Sequence, residues 1–138
     1  MTEFDTEKRR CYRFAIPGAT LNYKLTELSG TQKEYDEEFC PVADISRGGI
    51  RFLCSKRIEL GSPINLKIAT PGEQIPLNLI GTVKWIGTSA GKRYSYQIGV
   101  QFSPYGEGKN QNYPGALVKI IALEQKFAPA DELKKFIN

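Results

Sequence analysis

The sequence predicts an all-β protein, a six-stranded antiparallel β-barrel followed by a C-terminal α-helix. Three observations lead there. Apolar and polar residues alternate with a period of two through most of the chain up to Phe102. Gly- and Pro-bearing turns separate the alternating segments. Only after Phe102 does the apolar spacing change to three and four residues.

The elements follow in order. Ala19, Leu21, Tyr23 and Leu25 alternate with Thr20, Asn22 and Lys24 and make a first strand. Ser29-Gly30 turns the chain, and the acidic stretch Glu34 to Glu38 reads as the solvated end of a hairpin, leading to a second strand from Phe39 to Ile45. Ile50, Phe52 and Cys54 mark the third strand, and Ile64, Leu66 and Ile68 the fourth, with Gly61-Ser62-Pro63 between them. From Ile75 to Trp85 the odd positions are apolar or Gly, which places Trp85 in the core with Leu77, Leu79 and Val83. The sixth segment alternates on even positions, Tyr94, Tyr96, Ile98, Val100 and Phe102, and both tyrosines are expected in the core. Gly87 and Ser89 to Lys92 supply the turn between these two strands. Closing the six strands removes the unpaired edges that invite aggregation.

Beyond Ser103-Pro104-Tyr105-Gly106, the spacing of Leu117, Ile120, Ile121, Glu124 and Phe127 predicts a helix over 114–127 with Pro114 in its first turn. Pro129 interrupts it, and Ala130 to Ile137 reads as a short second helix. The chain of 138 residues is expected to be one domain: a flexible basic arm over 1–13, the barrel over 14–103 and a helical segment over 113–138.

Composition narrows the function. The chain has no histidine, so Ser-His-Asp triads, His-ligated zinc and imidazole proton shuttles are excluded. No nucleophile–base pair or metal cluster stands out, and neither an enzyme nor a cofactor is expected. The net charge of +4 tolerates an anionic partner without demanding one. Cys11, Cys40 and Cys54 are odd in number and lack metal-ligand spacing, which suits a reducing compartment such as the bacterial cytoplasm. The charged opening MTEFDTEKRR has no apolar segment behind it, so no signal peptide is expected, and no apolar run is long enough to span a membrane.

Two segments carry chemistry. Lys8-Arg9-Arg10-Cys11-Tyr12-Arg13 packs four cations into six residues. Such a run is often only a solvated tail, but an arginine cluster also binds phosphate bidentately and stacks on bases. Asp44-Ile45-Ser46-Arg47-Gly48-Gly49 lies between two strands. It reads as an ordinary turn, or as a purine edge reader in which Asp accepts from guanine N1 and N2, Ser adds a hydroxyl, and Gly admits the ligand. An antiparallel first hairpin would bring the two segments to the same end of the sheet. Arginines, an aspartate, a serine and a glycine turn without a catalytic base suit the binding of an anionic purine nucleotide.

Arg9-x-x-x-Arg13 followed by Asp44-x-Ser46-x-x-Gly49 resembles the paired signature of the PilZ domain family. Gly81-Thr82-Val83-Lys84-Trp85 and Ile98-Gly99-Val100-Gln101-Phe102 are similar to its later strands, so the likeness covers roughly residues 8–125. Family members are six-stranded barrels that bind cyclic di-GMP. The resemblance implies that Arg9 and Arg13 bind phosphates and guanine O6/N7, that Asp44 and Ser46 hold a guanine edge, and that Gly49 permits close approach. Arg10 occupies a variable position where it would add charge or stacking, and Arg47 fills another. The implied protein is a receptor that orders its arginine arm on the ligand and signals to a protein effector, with no DNA partner. The rivals are a barrel that binds single-stranded nucleic acid and a protein-interaction domain without ligand.

Overall fold

The computed structural model describes residues 12–25, 34–91 and 93–128. It contains strands β1 (Thr20–Leu25), β2 (Glu37–Ile45), β3 (Gly49–Cys54), β4 (Pro63–Ala69), β5 (Leu77–Thr88) and β6 (Tyr96–Phe102), then helix α1 (Pro114–Phe127). The strands form a closed barrel in the order β1-β2-β3-β6-β5-β4, every pair antiparallel, as the alternation predicts. The β1–β4 ladder from Thr20↔Ala69 to Leu25↔Ile64 closes it. The short helix expected over 130–137 and residues 1–11 of the arm expected over 1–13 lie outside the described residues.

The inward positions make one core, with Leu21, Tyr23, Cys40, Phe52, Cys54, Ile68, Val83 and Ile98 at most 1% exposed. Tyr23 and Phe52 meet with ring centroids 5.7 Å apart, a favourable tilted aromatic pair. Helix α1 starts at Pro114, whose fixed φ and missing N–H suit the first turn. It adds Ala116, Ile120 and Leu123 to the same core.

Strict alternation fails at three bulges. On β2 the register shifts between Val42 and Asp44, and on β5 between Val83 and Trp85. In each case the strand gains one residue over its partner, which reverses the facing of everything beyond it. Trp85 is therefore 47% exposed on the outside of the barrel, not in the core as its register with Val83 suggests. Tyr94 and Tyr96 are half-buried, Tyr96 at the margin of the core. Ile75 is exposed and precedes β5.

The third bulge lies between β1 and β2, where Phe39 takes φ 59° and its N–H donates to Asn22 Oδ1 at 2.9 Å. The acidic stretch beside it is more than a solvated end. Asp36 Oδ2 accepts from the Leu25 N–H at 2.7 Å, and Glu37 accepts from the Tyr23 hydroxyl at 3.1 Å and the Ser55 hydroxyl at 2.8 Å. These carboxylates cap open backbone and hydroxyl donors at one end of the barrel.

Candidate functional site

The segment from Ser46 to Gly49 is a tight turn joining β2 and β3. Ser46 N–H donates to Gly49 O at 2.8 Å, and the Ser46 hydroxyl accepts from Gly48 N–H at 3.2 Å. The serine thus builds the turn while its hydroxyl proton remains to be donated elsewhere. Ser46 is 5% exposed, so its contribution lies at the floor of the site rather than on its rim. Gly49 has a packing reason of its own. A Cβ there would run into Val100 O, the backbone of neighbouring β6.

The β2 bulge aims Asp44. Cys40 is buried and Val42 packs against the core, so an unbroken strand would turn Asp44 inward as well. The extra residue puts Ile45 inside and Asp44 on the outer face. There its Oδ2 accepts two bonds from Arg51, from Nε at 3.1 Å and from Nη2 at 2.7 Å. Among the described residues no donor reaches Oδ1. Arg51 Nη1 also donates to Gln97 Oε1 at 3.4 Å. The arginine is 39% exposed, so the pair contributes orientation more than stability.

The expected meeting of the two motifs holds where it can be followed. Phe14 bridges Ile45 in antiparallel sense, N–H to carbonyl in both directions at 3.0 and 2.9 Å. Arg13, exposed, therefore stands beside Ser46. Between this bridge and β1 the chain turns at Pro17-Gly18, where Gly18 adopts φ 81°. Arg9 and Arg10 lie outside the described residues.

Two residues extend the site beyond the motifs. Register places Asp44 opposite Arg51, Arg51 opposite Gly99, and Gly99 opposite Trp85. All face outward in one row across β2, β3, β6 and β5, about 14 Å long at the usual strand spacing. The indole lies flat along the sheet. A Cβ on Gly87 would come within 2.7 Å of Trp85 Cη2, and one on Gly99 within 3.2 Å of Trp85 Cβ. Arg51 was legible as an outward charge between Ile50 and Phe52. Trp85 was hidden by the bulge, although the glycines at 87 and 99 carry the hint of a large neighbour.

Two surface grooves, of about 630 and 500 Å³, lie elsewhere, lined by Gly106 to Gly115 and by Lys24, Tyr35, Lys67 and Tyr113 among others. No motif residue lines them, and the row from Asp44 to Trp85 is an open face rather than a cavity. The shifted titrations are also remote from it, at the other end of β3. Burial first, then the Glu37 carboxylate, push the Cys54 thiol up to about 12. Burial likewise raises Cys40 and Tyr23. Among the described residues no cluster of His, Cys, Asp or Glu could hold a metal ion, and no helix is long and apolar enough to cross a membrane.

Comparison with known proteins bears on the family and the fold. The family model described as PilZ domain matches residues 7–113. Among solved structures, the Bacillus subtilis Inhibitor of motility (MotI/DgrA) is similar in fold, with a TM-score of 0.50 and 17% identity over 82% of this chain and 50% of that one. The chain thus spans about half the length of that protein. No curated protein sequence matches.

Proposed function

Since the chain belongs to the PilZ domain family, a family of cyclic di-GMP receptor-type domains, we propose that it binds cyclic di-GMP on the outer face of the barrel and relays binding to a protein partner. The observation that carries this reading is the Phe14–Ile45 bridge, which sets Arg13 beside the Ser46–Gly49 turn, with Asp44 facing outward next to it. A cation for the phosphates, a carboxylate for guanine N1 and N2, and a hydroxyl are then within one ligand's reach.

In this proposal Arg13, with Arg9 and Arg10 from the same segment, binds phosphates and the guanine Hoogsteen edge. Asp44 takes the Watson-Crick edge while Arg51 holds its other oxygen, and Ser46 donates its hydroxyl. Gly49 keeps β3 against β6 and leaves the turn without a side chain in the ligand's path. Trp85, at the far end of the row, offers an indole face for a base. Each charge-assisted bond contributes ~1.5–3 kcal/mol, so two or three fix the arginine segment on the site as an order–disorder switch. The segment so held is the surface a protein partner reads. The chemistry is binding without bond-making, and no cofactor enters it. The ligand is a bacterial cytoplasmic messenger, and the buried free thiols Cys40 and Cys54 suit that reducing compartment.

Titration calorimetry tests the proposal. Wild type is expected to bind cyclic di-GMP, and Arg13→Ala or Asp44→Ala to weaken it at least ~tenfold, about 1.4 kcal/mol. No heat from wild type at high micromolar ligand overturns it. The exposure of Trp85 favours one rival, a barrel that stacks single-stranded nucleic acid. Oligonucleotide binding that weakens steeply with salt would select that reading.

A further inference from the structure

Helix α1 carries a carboxylate where its packing face calls for an apolar group. Ala116, Ile120 and Leu123 form that face, and Glu124 is buried with them, its side chain 7% exposed. A carboxylate in such a seam needs a paired cation. Arg47 supplies it, donating from Nε at 3.3 Å to one oxygen and from Nη2 at 2.8 Å to the other. Among the described residues no other side chain pairs with Glu124.

Arg47 is no ordinary scaffold residue, because it stands inside the turn between Ser46 and Gly49. Its main chain is held as well, by the Tyr105 hydroxyl donating to Arg47 O at 2.6 Å. Next to it Gly48 O accepts from Phe102 N–H at 2.8 Å. Both the fork and the carbonyl of one turn residue are thus anchored to the helix and to the chain leading into it. The turn is held by contacts outside the β2–β3 hairpin as well as by its own hydrogen bonds, and one of those outer contacts, a two-bond ion pair, reaches α1.

We infer that Glu124 is a positioning residue for the ligand site. Through Arg47 it holds the Ser46–Gly49 turn in the conformation that receives the ligand, so that ligand affinity and the seating of α1 are linked. The inference rests on the proposed ligand site for its second half, and names the element that regulates it. Linkage is reciprocal. Ligand tightens the seating of α1 by the factor that a seated α1 adds to affinity, and a partner that lifts α1 weakens ligand by the same factor.

Amide hydrogen exchange on the full chain, with and without cyclic di-GMP, tests it in wild type and Glu124→Gln. Without ligand, the variant is expected to exchange ~tenfold faster at Gly48 and Phe102, and unchanged at Leu66 and Ile68 on β4, a strand that pairs with neither β2 nor β3. Uniform acceleration, or none at the turn, overturns the inference whatever the ligand does. With ligand, wild type is expected to slow exchange along α1, and Glu124→Gln to bind at least ~fivefold more weakly. Unchanged affinity in a variant whose turn exchanges faster overturns the link to binding. A wild type that binds nothing defeats the proposed ligand, while the ligand-free comparison still decides whether Glu124 sets the turn. Should Glu124→Gln not fold, Arg47→Lys, which keeps a cation but loses the fork, and Tyr105→Phe replace it. Each is expected to speed the same two amides, and wild-type exchange in both overturns the inference.

Discussion

Replacing Gly49 by Ala separates two accounts of that glycine. In one it is small to admit a ligand; in the other it is small because β6 passes too close. The structure supports a test of magnitude. A Cβ on Gly49 would clash with Val100 O, with Val100 C at 3.5 Å and Gln101 Cα at 3.7 Å behind it. These atoms are backbone of a strand held on both sides, by β3 and by β5, so no side chain can swing away. The strands must part, which costs ~1–3 kcal/mol as overpacking. The adjoining bond from Phe102 N–H to Gly48 O, 2.8 Å long, is the first to stretch, and losing it costs ~1–3 kcal/mol more. The reduced entropy of the unfolded chain returns ~0.4–1 kcal/mol. The net expectation is a loss of ~1–5.5 kcal/mol, centred near ~3 kcal/mol, read as a lower urea midpoint at unchanged slope, with no ligand present. A variant as stable as wild type, impaired only in ligand binding, would refute the packing account.

Three further outcomes follow from other parts of the molecule. Asn112 is buried, accepts from Ile80 N–H at 2.8 Å and donates to Ile80 O at 3.0 Å and Ser103 O at 2.9 Å. Asn112→Ala orphans these backbone groups and should lower the unfolding free energy by ~2–4 kcal/mol, and an unchanged urea midpoint would contradict that. Stability should fall as the solution is made alkaline. The Cys54 thiol, ordinarily near 9.0, keeps its proton to about 12 in the fold, so above pH 9 the unfolded chain binds fewer protons than the native one. Each such thiol then removes ~1.4 kcal/mol per pH unit, and urea melts that show no loss between pH 8 and 10.5 would refute the burial of Cys40 and Cys54. Finally, the single tryptophan reports on the site. Saturating cyclic di-GMP should change its emission, and a spectrum unmoved at calorimetric saturation would remove Trp85 from the ligand's reach.

Most of the barrel was legible because period-two patterning reports which face a residue takes, provided the strand stays in step. The extent of helix α1 was equally open to reading, as Pro114 marks its start, but its stripe was read only in part. Ile120 and Glu124 are buried as their spacing suggests, whereas Leu117, Ile121 and Phe127 are half-buried and Ala116 and Leu123 complete the inward face. What escaped lies at the bulges. Nothing in Val83-Lys84-Trp85 announces an extra residue, since the bulge depends on how β5 and β6 pair across the sheet. The same device aims Asp44, so the motif could be read while the reason for its exposure could not. Long-range polar partners were hidden for a similar reason. Arg47 and Glu124 are 77 positions apart, so the spacing that set Glu124 on the helix stripe could not name its partner. Asn112 sat in a polar loop, and only the fold shows it completing the backbone bonding of Ile80.

Backbone amide chemical-shift mapping during a cyclic di-GMP titration tests the central claim most directly, because it reports binding and place together. The account predicts saturable shifts concentrated at Arg13, Phe14, Asp44 to Arg51, Trp85 and Gly99, with the groove near Lys24 and Lys67 unmoved. Shifts confined to that groove, or none at saturating ligand, would contradict it.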